Sequence, residues 1–173
     1  METIGFFCPF ADQGTGIQCR EYITYLNQNG YKTAVYSYKS NIGTQIDMSE
    51  WNYGNICYTK KSREDINLED ILEFVFKYNV KTVFIPEICY RLIYQKIDYF
   101  KCLGVKIVGL INIDLLKYTE LGYYHYLDVI AVNNESSYNI VKRLLPNSNV
   151  KLLEFNNYYM KKAISLFASA GLV

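Results

Sequence analysis

Short, β-branched apolar runs alternate along this chain with longer stretches whose apolar positions recur at helical spacing. The alternation is clearest over Asp128–Asn156, DVIAVNNESSYNIVKRLLPNSNVKLLEFN. There Asp128–Val132 predicts a buried strand. Asn133, Asn134 and Ser136 then supply side-chain oxygens where the free N–H groups of a helix start need acceptors, and Ile140, Val141, Leu144 and Leu145 share one helical face. Pro146 stops that helix, Asn147–Asn149 turn the chain, and a second strand follows. This is one complete βαβ unit. Such units imply a parallel sheet covered by helices, with polar loops at the carboxyl ends of the strands.

The same alternation runs through the rest of the chain. Thr3–Cys8 predicts a first strand, Pro9–Gly16 a loop, and Ile17, Tyr22, Ile23 and Leu26 a helix that Gly30 ends. Lys32–Tyr38 reads as a strand, residues 39–54 as irregular and polar, and Asn55–Tyr58 as a short strand. Leu68, Ile71, Leu72, Val75 and Phe76 mark a helix, Lys81–Ile85 a strand, Tyr90–Leu103 a helix and Val105–Ile111 the most apolar strand. Leu115–Tyr126 predicts a weaker helix, and Asn157–Leu172 a final one with Met160, Ile164 and Phe167 on one side. With no repeat or Pro-rich linker, the expected fold is α/β: a three-layer Rossmann-like domain with a mostly parallel sheet of about seven strands. Residues 1–156 form the domain, and 157–173 a C-terminal helix docked on it.

In a doubly wound sheet, ligands meet the carboxyl ends of the strands near the topological switch point. The loops after Cys8, Ile85, Ile111 and Val132 are therefore the candidates. The first, PFADQGTG, carries Asp12, Gln13, Gly14, Thr15 and Gly16, and its glycines let backbone approach a sugar or phosphate at the start of a helix. Two glycines that simply make the turn are the competing reading. Glu87 after Pro86 stands at the rim, where a substrate hydroxyl could meet it, or serves as a helix N-terminal acid. Asn112 and Asp114 follow the most apolar strand in the same way, with Asp114 equally suited to capping a helix. Asn133, Glu135 and Ser136 complete the rim candidates.

Composition narrows the functional classes. A formal net charge of +1 and no run of like charges give no field for nucleic acid, so none is expected as a partner. Five widely spaced cysteines without a CxxC suit reduced thiols in the core of a cytoplasmic protein. METIGFF begins the chain without a basic region or long apolar run, so neither a signal peptide nor a transmembrane segment is expected. GTGIQC departs from a dinucleotide fingerprint at Cys19, and Lys39 and Ser40 stand where an acid for a ribose would be, which disfavours NAD. GxxxxGK[ST], GxSxG and SxxK are absent. His125, the one histidine, has no metal-ligand spacing around it, so no metal site is expected. Glu69, Glu73 and Lys77 read as a solvated helix face.

With these residues in view, Asp128–Asn156 resembles the end of the N-terminal domain of GT-B glycosyltransferases of the glycogen synthase-like family 4 group. In that family an Asp-led strand ending "IAVS" precedes a helix and a "V-x-V-I-P-N-G" strand follows. IGFFCPFADQGTGIQCREYITYLNQNGYKTAVYS resembles the family's opening strand, loop and helix, so the likeness spans nearly the whole chain. It implies an acceptor-side domain whose first loop, at Gly14, Thr15 and Gly16, approaches a sugar or phosphate. Asn112 in GLINID stands in place of the family's histidine, and the paired glutamates of a donor domain, due after Asn156, have no counterpart. The resemblance thus implies the acceptor half of a hexosyltransferase, inactive without a donor domain. Its partners would be a sugar or glycan acceptor and a donor-binding domain or subunit. It would hold no cofactor, and a nucleotide sugar would be the donor only with that second domain. Two other classes stand beside it: a non-catalytic binding or partner module that kept the fold, and an unrelated Rossmann-like enzyme or nucleotide binder.

Overall fold

The structure is a computed structural model, and it describes residues 2–40, 55–88 and 91–153. The strands are β1 (Thr3–Cys8), β2 (Lys32–Ser37), β3 (Ile56–Tyr58), β4 (Val80–Ile85), β5 (Lys106–Ile111), β6 (Val129–Val132) and β7 (Val150–Leu152). The helices are α1 (Gly14–Gln28), α2 (Leu68–Tyr78), α3 (Arg91–Cys102), the single turn α4 (Leu121–Tyr124) and α5 (Glu135–Leu144). All seven strands pair in parallel in the order β3-β2-β1-β4-β5-β6-β7. The chain leaves β1 toward β2 and β3, then returns to the other side of β1 with β4, so the switch point lies between β1 and β4. The expected architecture is present.

The central strands are buried on both faces, which is why they read as unbroken apolar runs. Successive residues sort by the strand period of two. Phe7, Tyr36, Val83, Ile85, Ile107, Ile111, Ile130 and Val132 join the core that takes in Ile71 and Phe74 of α2, Ile93 and Ile97 of α3 and Val141 of α5. Ile4, Phe6, Cys8, Val35, Phe84, Val108, Leu110, Val129 and Ala131 join the core beneath Cys19, Tyr22, Ile23 and Leu26 of α1.

Local chemistry sets the helix ends. Asn67 and Asp70 form a reciprocal capping box at the start of α2, and Asn79 closes that helix at φ 52°. Asn134 caps α5 by accepting from the Ser137 N–H at 2.8 Å. The leading Asp128 anchors the amino end of β6: one carboxylate oxygen accepts from Lys101 Nζ at 2.6 Å and from the Ile107 N–H at 2.7 Å. That end of the sheet is the one opposite the candidate loops.

Three expectations need correction. Leu115–Tyr126 is two isolated 3-10 turns, Ile113–Leu115 and Tyr118–Glu120, followed by α4, because Leu116 and Lys117 are extended. A tyrosine clasp holds this segment on α3: the Tyr94 and Tyr124 hydroxyls lie 3.0 Å apart, the Tyr94 hydroxyl donates to Glu120 at 3.2 Å, and Tyr123 stacks on Tyr94 at 4.3 Å. These tertiary contacts outweigh a weak helical period. Ile17, Leu68, Phe76 and Ile140, placed on inward faces by spacing, are exposed. In α2 the alternative stripe of Ile71, Phe74 and Val75 faces inward because Phe74 seats edge-on against Tyr36. Cys8 and Cys19 are buried as expected, whereas Cys102 is exposed at the end of α3. The residue 41–54 segment and the expected helix over 157–173 lie outside the described residues.

Candidate functional site

The loop between β1 and α1 is built from short backbone bonds. Ala11 N–H donates to the Pro9 carbonyl at 2.9 Å, and Gln13 N–H to the Ala11 carbonyl at 2.7 Å. Phe10 N–H donates to Ser37 Oγ at 3.1 Å, tying the loop to the end of β2. The two glycines of this loop have different jobs. A Cβ on Gly16 would lie 1.9 Å from the Ala11 carbonyl oxygen, so the first turn of α1 rests directly on the loop and only glycine fits. A Cβ on Gly14 would meet nothing within 4 Å. α1 begins at Gly14, two residues before the expected end of the loop. Gln13 occupies its N-cap without a side-chain cap bond, and no acid stands in the first turn. The Gln13 side chain instead accepts from Ser40 Oγ at 2.8 Å.

Across the switch point, β4 ends and Glu87 turns the backbone at φ 72°, a left-handed conformation that costs a residue with a Cβ about 1 kcal/mol. The turn is held on both sides. Ile88 N–H donates to the Leu110 carbonyl of β5 at 3.1 Å, and Thr15 Oγ1 donates to Glu87 Oε1 at 2.6 Å. The strained backbone thus delivers a half-buried carboxylate to the start of α1.

Between these loops lies a cleft of about 500 Å3. Gln13, Gly14 and Thr15 line it from β1, Glu87 from β4, Asn112 from β5 and Asn133 from β6. It is within the roughly 300–1,000 Å3 typical of small-molecule sites. Of the expected site residues, these six are brought together. Asp12 is exposed on the loop, Gly16 packs against Ala11, Asp114 is exposed in a 3-10 turn, and Glu135 and Ser136 are exposed in the first turn of α5; none of these five lines the cleft.

Sequence reasoning missed the other wall. Tyr38, Lys39 and Ser40 follow β2, and Arg63 follows β3, and all four line the cleft. The signal was available, because the rule that loops at carboxyl ends gather at one rim applies equally to β2 and β3. Thr59 N–H donates to the Ser37 carbonyl and Lys39 N–H to the Lys61 carbonyl, both at 2.9 Å, and this pairing brings Arg63 over Tyr38. The guanidinium sits 5.8 Å from the Tyr38 ring centre. Burial, then the neighbouring Cys8, holds the Tyr38 phenol well above its ordinary pKa, so it stays a neutral hydroxyl. Burial likewise raises the Cys19 thiol, beside Cys8. Among the described residues, the charged side chains that line the cleft are Lys39, Arg63 and Glu87. His125 is exposed and outside it, and among the described residues no group of three or more His, Cys, Asp or Glu side chains could hold a metal ion.

No protein-family model matches the sequence, and no curated protein matches it. Solved structures do resemble the fold. Sucrose-phosphate synthase from Thermosynechococcus elongatus superposes with a TM-score of 0.60 at 13% identity, over 96% of this chain and 96% of that one. The fold is that of a Rossmann-like GT-B domain. MurG from Acinetobacter baumannii superposes with a TM-score of 0.57 at 8% identity, over 95% of this chain and 71% of that one. Both neighbours are GT-B glycosyltransferases. No helix among the described residues is long and apolar enough to cross a membrane.

Proposed function

We propose that this chain is the acceptor-side half of a GT-B glycosyltransferase of the hexosyltransferase type, similar to family 4. In this reading residues 1–156 form the acceptor domain and 157–173 a helix docked on it. A nucleotide sugar would be supplied from a separate donor domain or subunit, and no cofactor takes part. The observation that carries the reading is the position and lining of the cleft: polar side chains from β1, β4, β5 and β6 converge at the switch point of a GT-B-type sheet. Gln13, Asn112 and Asn133 offer amides, which both donate and accept, and Glu87 offers an acceptor, the mixture that a polyhydroxylated sugar requires. The contribution to transfer is positioning, which turns the reaction of two bound sugars into an effectively unimolecular step. The departing diphosphate would be stabilised by the partner.

A non-catalytic binding module is the second reading. It is favoured by the lining among the described residues, which holds no histidine and a single carboxylate, Glu87, that already engages Thr15. Titrating the chain with saccharides and with nucleotide sugars, alone and with a family 4 donor domain added in trans, tests the proposal. Saccharide binding by the chain alone, with transfer appearing once the donor domain is added, supports it. Binding without transfer favours the module, and micromolar binding of a nucleotide sugar by the isolated chain contradicts the division of labour.

A further inference from the structure

The strand order gathers the loops and also sorts their side chains by charge. Along the rim, Arg63 follows β3, Lys39 follows β2, the first turn of α1 follows β1, Glu87 follows β4, and Asn112 and Asn133 follow β5 and β6. Among the described residues, cations stand at one end and neutral amides at the other. Between them lies the start of α1, which the Glu87 carboxylate already engages through Thr15. Strands lie about 4.8 Å apart, so the end of β2 and the end of β4 are separated by two spacings, about 10 Å.

We propose that the ligand of this cleft is a sugar bearing an anionic group, with its hydroxyls on Glu87, Asn112 and Asn133 and its anion toward Lys39 and Arg63. This rests on the acceptor reading and adds the chemical class of the acceptor. The direction of binding follows from repulsion as well as attraction. Glu87 would oppose an anion beside it, yet a carboxylate accepts more than one hydrogen bond, so it can receive a sugar hydroxyl while keeping the bond from Thr15. Arg63, stacked over Tyr38, presents a flat guanidinium suited to a phosphate or a carboxylate, and exposed Lys39 adds a point charge beside it.

Calorimetric titration of the chain tests this, with a panel of common hexoses, their 6-phosphates, their uronates and inorganic phosphate. At least one hexose should gain tenfold or more in affinity as its 6-phosphate or uronate, and the arm that gains more identifies the anion. Added salt should shrink the gain. Lys39→Gln should remove most of the gain, weakening the anionic sugar far more than the neutral one, and Lys39→Glu should reverse the preference. Glu87→Gln should weaken neutral and anionic sugars alike without weakening inorganic phosphate. Neutral and anionic sugars binding equally, or a gain that survives both Lys39 substitutions, overturns the proposal and leaves the acceptor reading standing. If no sugar binds, or inorganic phosphate binds as well as any sugar phosphate, the acceptor reading falls and this inference with it.

Discussion

Thr15 donates a 2.6 Å hydrogen bond to Glu87 across the switch point, joining the start of α1 to the end of β4 over 72 positions of sequence. A bond to a carboxylate is worth about 1.5–3 kcal/mol when buried. Here one partner is half-buried, so Thr15→Val is expected to cost about 1.5 kcal/mol and Thr15→Ser much less. Urea unfolding of the three proteins measures both.

At most positions glycine is less stable than alanine. At residue 87 the order should reverse, because the backbone there sits at φ 72°. Glu87→Ala and Glu87→Gly both lose the Thr15 bond, but only alanine keeps the strain. Glu87→Gly is expected to be the more stable of the two by about 1 kcal/mol in the same unfolding assay. Alanine equal to or better than glycine would show that the turn carries no strain.

The two loop glycines should behave as differently as their surroundings. Gly16→Ala forces a methyl group against the Ala11 carbonyl and is expected to destabilise by roughly 3 kcal/mol or more, or to prevent folding. Gly14→Ala adds a methyl into open space and should leave thermal stability within about 0.5 kcal/mol. Its effect belongs to ligand binding, since Gly14 lines the cleft.

Asn134, not Asn133, bonds the first turn of α5. Asn134→Ala should therefore cost about 1 kcal/mol. Asn133 only accepts from the Asn134 side chain, so Asn133→Ala should change stability little while altering the cleft it lines. Thermal melts followed by circular dichroism separate the two.

Thiol labelling gives an independent check on the packing. Cys8 and Cys19 are buried, and burial holds the Cys19 thiol above its usual pKa, so neither should react with a water-soluble disulfide reagent in the native protein at neutral pH. Cys102 is exposed and should label readily. Mass spectrometry of digested, labelled protein reads each site.

These features show which parts of the molecule were legible in its sequence. The strands were, because a parallel sheet covered on both faces needs unbroken apolar runs, and Val105–Ile111 is such a run. The β1, β4, β5 and β6 loops followed from topology, and with them Gln13, Gly14, Thr15, Glu87, Asn112 and Asn133. The 113–126 segment was not legible, because the Tyr94–Tyr124 and Tyr94–Glu120 contacts that shape it join positions far apart in the chain. The rim rule extends to the loop that carries Arg63, but its place over Tyr38 was not legible, because it depends on the return of residues 59–61 along the end of β2. Gly14 and Gly16 look alike in sequence, and only the position of Ala11 separates them.

The most direct test of the central claim is to map saccharide binding onto the chain by amide chemical shifts. Titration with the tightest-binding sugar should perturb Gly14, Thr15, Glu87, Asn112 and Asn133 together, and saturating nucleotide sugar should leave them unmoved. Perturbation of those same amides by a nucleotide sugar at micromolar concentration, or a saccharide response confined to residues outside the cleft, would contradict it.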